Sequence, residues 1–346
     1  MQKPFPALTT LCLSSMGETA PIISDSFLSG SAPVTPLPFL RLLHLNHISI
    51  PFPKLRKLLL SATNIVRLEL RDLPHSAYIP PEAMFTCLAT LTNLQALELR
   101  IQSPRSHPVQ ESRRPPPRSH TVLPSLTFLC FMGPSEYLED LISRIDAPLL
   151  DYLSITFFHR LIFDTPQLAQ FIGRSRTPKF KALVGANVIF GSSSVCLSLS
   201  ETFDSTCGLD FTILCAWPDL ELSALAQVCT SSFPQLLISS VEKLYIVESS
   251  RVELSWQVDN SQWLELLRSF AGVKGFYLCK KFAPRIAPCL QELVGERVTE
   301  VLPTLQTLFL EELNLSGPVW ESVDQFVAAR QLASLPIAVL SWVRNT

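Results

Sequence analysis

Apolar residues return along the chain in one figure, two leucine-like positions two apart preceded by a third, three residues earlier. The copies are Leu8-Leu11-Leu13, Leu40-Leu43-Leu45, Ile65-Leu68-Leu70, Leu94-Leu97-Leu99, Leu126-Leu129-Phe131 and Leu150-Leu153-Ile155. A degraded copy holds Phe180 with Leu183, and another centres on Phe211 and Ile213. Three regular ones follow at Val241-Leu244-Ile246, Val273-Phe276-Leu278 and Leu305-Leu308-Leu310. The first positions 8, 40, 65, 94, 126, 150 and 180 differ by 32, 25, 29, 32, 24 and 30, and 241, 273 and 305 lie 32 apart twice. Apolar positions two apart share one face of a strand, so each copy predicts a short strand entered by a turn.

Between these strands the apolar spacing is helical: Pro53 to Asn64, Pro81 to Thr92, Glu136 to Asp146, Thr165 to Ser175, Glu221 to Ser232, Asn260 to Ala271, Pro284 to Leu302 and Pro318 to Ser334. Pro81 with Glu82, and Thr165 with Pro166, suit a first helical turn, and Asn260 suits a capping position. One strand and helix bury five or six apolar side chains at ~2 kcal/mol each. Ordering about 30 residues opposes this at ~1 to 2 kcal/mol per residue. A unit of this kind folds only by sharing its faces with neighbours. The expected fold is therefore an α/β leucine-rich-repeat solenoid, a horseshoe of about 10 to 11 irregular repeats with a parallel concave sheet and convex helices. It is expected to run as a single array over 1–346. Residues 317–346 are expected to form a C-terminal cap, and the start at Leu8, almost directly in a repeat strand, reads as truncated.

Counting the first apolar residue of each copy as zero, positions two, four and six point to the open face. Position four reads Cys12, His44, Glu69, Glu98, Cys130, Ser154, Val184, and then Tyr245, Tyr277 and Phe309. The three aromatics on consecutive repeats are candidate anchors for a protein partner, with rings about 5 Å apart. Alternatively the C-terminal cap or the helix Pro318 to Ser334 folds over them. Arg67, Glu69, Arg71, Glu98 and Arg100 form a second candidate surface. Glu69 and Glu98 stack as like charges and repel unless the arginines intervene; the patch is either a solvated face or the seat of a partner of mixed charge.

Composition narrows the function classes. Hydrophobic residues at 47% against 17% charged give a folded chain with a large core, and a net charge of -2 supplies no field for nucleic acid or an acidic membrane. Nine irregularly spaced cysteines without a CxxC predict reduced, mostly buried thiols and an intracellular protein, cytoplasmic or nuclear. No apolar run approaches the ~18 residues that span a bilayer, and Met1 to Met16 lacks a signal-peptide profile. Asn314-Leu315-Ser316 is a formal glycosylation sequon. The insertion Ser103 to His120, with Arg105, Arg113, Arg114 and Arg118 among prolines, predicts an exposed, disordered polyproline-like loop. Phosphate loops, GxSxG, HExxH and a cysteine–histidine pair are all missing, and only 11 glycines occur. His44 and His47 send their rings to opposite faces, against metal ligation. The chain is expected to be no enzyme and to use no cofactor or metal.

Several segments resemble the F-box and leucine-rich-repeat proteins of basidiomycete fungi. They are Pro53 to Asn64, Ile79-Pro80-Pro81-Glu82-Ala83-Met84, Arg113-Arg114-Pro115-Pro116-Pro117, Glu136 to Leu149, and Phe282 to Pro288. The resemblance covers the repeat region only. It implies a substrate-recognition region of a ubiquitin-ligase component, whose N-terminal F-box of about 40 to 50 residues docks the Skp/cullin adaptor. No F-box helix cluster precedes Leu8, so adaptor binding is implied only if an upstream F-box exists; the alternative is a stand-alone repeat scaffold or a truncated fragment. The usual asparagine eight residues after the first leucine is replaced by Met16, Ile48, Leu73, Gln102 and Phe158.

Overall fold

The computed structural model of the chain describes residues 7–17, 21, 37–74, 78–101, 120–158, 165–177, 180, 183–201, 208–214, 222–249, 258–311 and 317–343. The proline- and arginine-rich insertion, apart from His120, and the sequon lie outside them. The fold is mixed α/β with mostly parallel sheet, and it divides into two compact units, 1–158 with 165–177 and 159–164 with 178–346.

In the first unit the strands β1 (Thr10–Ser14), β2 (Leu42–Asn46), β3 (Arg67–Leu73), β4 (Ala96–Ile101), β6 (Phe128–Gly133) and β8 (Tyr152–Phe158) pair in sequence order, all parallel. Two short strands, β5 (Thr121–Val122) and β7 (Ile145–Asp146), pair separately. The recurring leucines are spatial neighbours: Leu43, Leu68, Leu97, Leu129 and Leu153 follow one another in register and all are buried. Leu11 and Leu13 of β1, at the end of the sheet order, are only half-buried.

Helices α1 (Phe52–Ser61), α2 (Pro81–Leu88) and α3 (Ser135–Ile142) lie between these strands and α4 (Pro166–Arg174) follows β8, three of the four with proline in the first turn, where a missing N–H leaves no bond unmade. Thr165 does not cap α4 with its side chain; Glu139 of α3 does so, accepting the N–H groups of Gln167 at 2.9 Å and Leu168 at 2.8 Å. A carboxylate at a helix N-terminus satisfies free amides and favours the helix dipole.

Each rung is tied to the next by a repeated backbone joint. The carbonyl one residue after the first apolar position accepts two N–H groups from the following rung: Thr9 from Arg41 and Leu42, Arg41 from Val66 and Arg67, Val66 from Gln95 and Ala96, Gln95 from Thr127 and Phe128, Thr127 from Asp151 and Tyr152. The same joint recurs in the second unit at Val184, Glu242 and Lys274.

That unit has the strand order β11 (Leu209–Leu214), β10 (Ser194–Ser200), β9 (Gly185–Phe190), β12 (Lys243–Glu248), β13 (Gly275–Leu278), β14 (Thr307–Glu311) and β15 (Ala338–Trp342). From β9 to β15, leaving the hairpin aside, pairing is parallel, whereas β10 is antiparallel to both β9 and β11. Two expectations are corrected here. The segment around Phe211 and Ile213 is not the rung beside Val241-Leu244-Ile246; β9 takes that place. Strict alternation of Ala186, Val188, Phe190 and of Val195, Leu197, Leu199, all buried, makes β9 and β10 a hairpin closed by the Gly191 N–H on the Ser194 carbonyl at 2.8 Å. The degraded copy also slips by three residues: its first apolar position is Leu183, so Val184 occupies position one and Asn187 position four.

The helices of this unit are α5 (Leu222–Ser231), α6 (Gln235–Ser239), α7 (Asn260–Arg268), α8 (Ala283–Gln291) and α9 (Pro318–Leu332). Asn260 is not the cap of α7: it is the first helical residue, follows Asp259, and donates to Glu292 at 2.6 Å. The helix expected from Pro284 to Leu302 ends at Gln291; Val294 is extended and Gly295 takes a φ of 61°, and a separate 3-10 turn follows at Gly295–Thr299. Beneath the sheet Phe190, Trp263 and Phe282 form a buried cluster with ring centroids 4.6 to 5.8 Å apart.

Candidate protein-binding faces

Register fixes which side chains share the face opposite the leucine core. In the first unit Cys12, His44, Glu69, Glu98, Cys130 and Ser154 stand opposite one another strand by strand, the expected position-four row. The five candidate charged residues do come together, and His44 joins them. His44 Nδ1 lies 2.6 Å from Glu69 Oε2, and Arg67 pairs with Glu69 through Nε. Arg71 Nη2 bridges both carboxylates, at 3.1 Å from Glu69 and 2.7 Å from Glu98, and Arg100 Nε lies 2.6 Å from Glu98.

The two glutamates are not solvated: Glu69 is 6% and Glu98 4% exposed, beneath arginines that are more open. Two carboxylates one strand spacing apart, ~4.8 Å, repel by roughly 3 kcal/mol at an effective dielectric of ~20. Four arginine contacts, each of comparable size and opposite sign, outweigh that repulsion. The acids therefore lie inside the array and the guanidinium groups form its outer layer. For Glu69, burial pushes the carboxyl upward, but the hydrogen bonds from His44 and Arg67 and the charges of Arg71 and Arg67 prevail and hold it below the usual range. Arg71, despite its burial, is raised by Glu98 and Glu69.

In the second unit the corresponding row is Asn187, Tyr245, Tyr277, Phe309 and Leu340. Tyr245, Tyr277 and Phe309 form a continuous stack, with centroids 4.1 Å apart at both steps and interplanar angles of 19° and 1°. This is closer than the strand spacing, because the rings lean together over Gly275, where a Cβ would stand 3.2 Å from the Tyr277 ring. Tyr245 is 8% exposed; Tyr277 and Phe309 are half-buried.

Of the two covers weighed for these rings, the helix and the C-terminal cap, the helix is not one: α9 turns Val323 and Phe326 into the leucine core and packs along α8. Trp342 of β15 lies against them instead, edge-on to Tyr245 at 6.2 Å and to Tyr277 at 5.7 Å, donating its indole N–H to the Leu278 carbonyl at 3.2 Å. The tail thus closes the stack as a further strand. Its rung reads Pro336, Val339, Ser341, which keeps one of three leucine-like positions and so escapes the repeat pattern.

Among the described residues no group of three or more His, Cys, Asp or Glu is placed to hold a metal ion. Within the same residues no helix is long and apolar enough to cross a membrane. Comparison with known proteins gives no match, either to a protein-family model or to a curated protein.

Proposed function

We propose that the chain is a leucine-rich-repeat interaction module, each unit a stack of rungs offering its non-leucine face to a protein partner. The observation that carries this reading is the uninterrupted ring stack of Tyr245, Tyr277 and Phe309. Rigid aromatic side chains in a row supply contact area with little rotamer entropy to lose, the property of interface anchors. The arginine-rich layer over Glu69 and Glu98 supplies a second, polar face.

With the fungal F-box resemblance, the reading extends to the substrate-recognition part of a ubiquitin-ligase component, in which the repeats hold the substrate. The test is partner capture with the full-length gene product, wild type against Phe309→Ala and Tyr277→Ala, with folding checked by thermal melts. Loss of the same partners in both folded variants supports the interaction reading. Retention of every partner ends it. Failure of the full-length product to bind the Skp/cullin adaptor removes the ligase part and leaves a stand-alone scaffold.

A further inference from the structure

Rungs in the second unit are held by core-facing side chains: in β14 these are Leu308 and Leu310, both fully buried. The equivalent residues of β15 are Val339, half-buried, and Ser341, polar and exposed. Leu340, beside Phe309, is 48% exposed. The leucine side of β15 therefore contributes little apolar burial, and α9 already supplies Val323 and Phe326 to the core there. What seats β15 lies on the opposite face: a parallel backbone ladder to Thr307–Glu311 and one indole resting on Tyr245 and Tyr277. Backbone pairing combined with a side-chain pocket is how sheets take up an added strand.

We propose that the β14 edge and the ring stack form a seat for an extended partner segment carrying an aromatic residue, and that β15 fills this seat in cis until displaced. The inference rests on reading this face as protein-binding. The required chemistry follows from the occupant. Residues 336–343 carry no charge, so the partner segment is uncharged, with an apolar residue beside Phe309 and an aromatic one two residues later against Tyr245 and Tyr277. A short connection from α9 gives the resident strand a high effective concentration, which keeps weak competitors out.

The experiment uses the full chain, wild type and Trp342→Ala, with a fluorescein-labelled peptide of residues 335–343 followed by anisotropy. The variant should bind it at least about tenfold more tightly than wild type, ~1.4 kcal/mol, and a peptide with its own tryptophan changed to alanine should lose that gain. Equal affinity for both chains, or indifference to the peptide tryptophan, overturns the proposal. Hydrogen exchange on the wild type guards against an unfolded variant. Amides of 338–342 should exchange at least about tenfold faster than those of 307–311, and opening of both strands together overturns displacement. A wild-type dimer by light scattering that Trp342→Ala abolishes would make the occupant a second copy and overturn the partner segment. Peptide exchange that works while Phe309→Ala keeps every captured partner removes the interaction reading and leaves the seat; the converse removes only the seat.

Discussion

Arg330 carries a charge into the core of the second unit, with 0% exposure, and meets it with backbone alone. Its guanidinium donates to the carbonyls of Val298, Leu302 and Pro303 at 3.3 Å and of Leu305 at 3.0 Å. Those groups belong to the turn that ends one rung and begins the next, so the arginine fastens α9 to the Leu305 rung. Burial lowers its pKa, yet the starting value is so high that it stays charged. Arg330→Met, of similar length but without donors, leaves four acceptors poorly satisfied; chemical denaturation should show a loss of about 2 to 4 kcal/mol. A loss under about 0.5 kcal/mol would mean that water replaces the guanidinium. A second residue-scale expectation concerns acid. Because the Glu69 carboxyl is lowered in the folded state, its stabilisation is complete above the ordinary value of 4.5 and disappears as pH falls through the lower folded value. Urea midpoints of wild type and Glu69→Gln should therefore converge as pH is taken below 4.5, and a gap that widens there would contradict the assignment. The residue identities of this network were legible in the sequence, since strand alternation puts Glu69 and Glu98 side by side. Their burial was not, because it depends on how three arginines drape over them.

At the scale of elements, the sequence was most informative where three leucine-like positions survive, as in β2, β3, β4, β13 and β14, and least where packing is shared differently. The rung of β9 keeps Leu183, Ala186 and Val188, but alanine in the middle and a nearer match at Phe180 shift the apparent frame by three residues. The β9–β10 hairpin was missed for a similar reason: two alternating runs joined through Gly191 lack the helix that separates other rungs. Asn260 shows the same limit for caps, since a side chain of the right type stands one residue inside α7 and bonds Glu292 instead. Turns between helix and strand make their own demand. Gly272 precedes the Val273 rung, and a Cβ there would stand 2.0 Å from the Ser239 carbonyl oxygen of the preceding turn. Both atoms are backbone or bonded directly to it, so neither can rotate away. Gly272→Ala should destabilise by about 1 to 3 kcal/mol in thermal or urea unfolding, and neutrality would show that the two turns separate freely.

On the scale of the whole molecule, the repeat architecture proposed above predicts stability that is local to neighbouring rungs, so that a defect is felt next door. Leu97 is fully buried between Leu68 and Leu129, so Leu97→Ala should cost about 2 to 5 kcal/mol. Hydrogen exchange should speed up in β3 and β6 before β12 to β14 respond, whereas uniform loss of protection over both units would show one cooperative body. The backbone joints between rungs carry a different implication. Among the described residues, those whose carbonyls accept two N–H groups in such joints are Thr9, Arg41, Val66, Gln95, Thr127, Val184, Glu242 and Lys274, of every polarity and size. Attachment drawn in main-chain atoms is blind to the side chain above it. Such a protein is free to rewrite the lettering on its surface, one letter at a time, without loosening the spine; the one letter forbidden is proline at an amide that feeds a joint, such as those of Gln95 and Thr127.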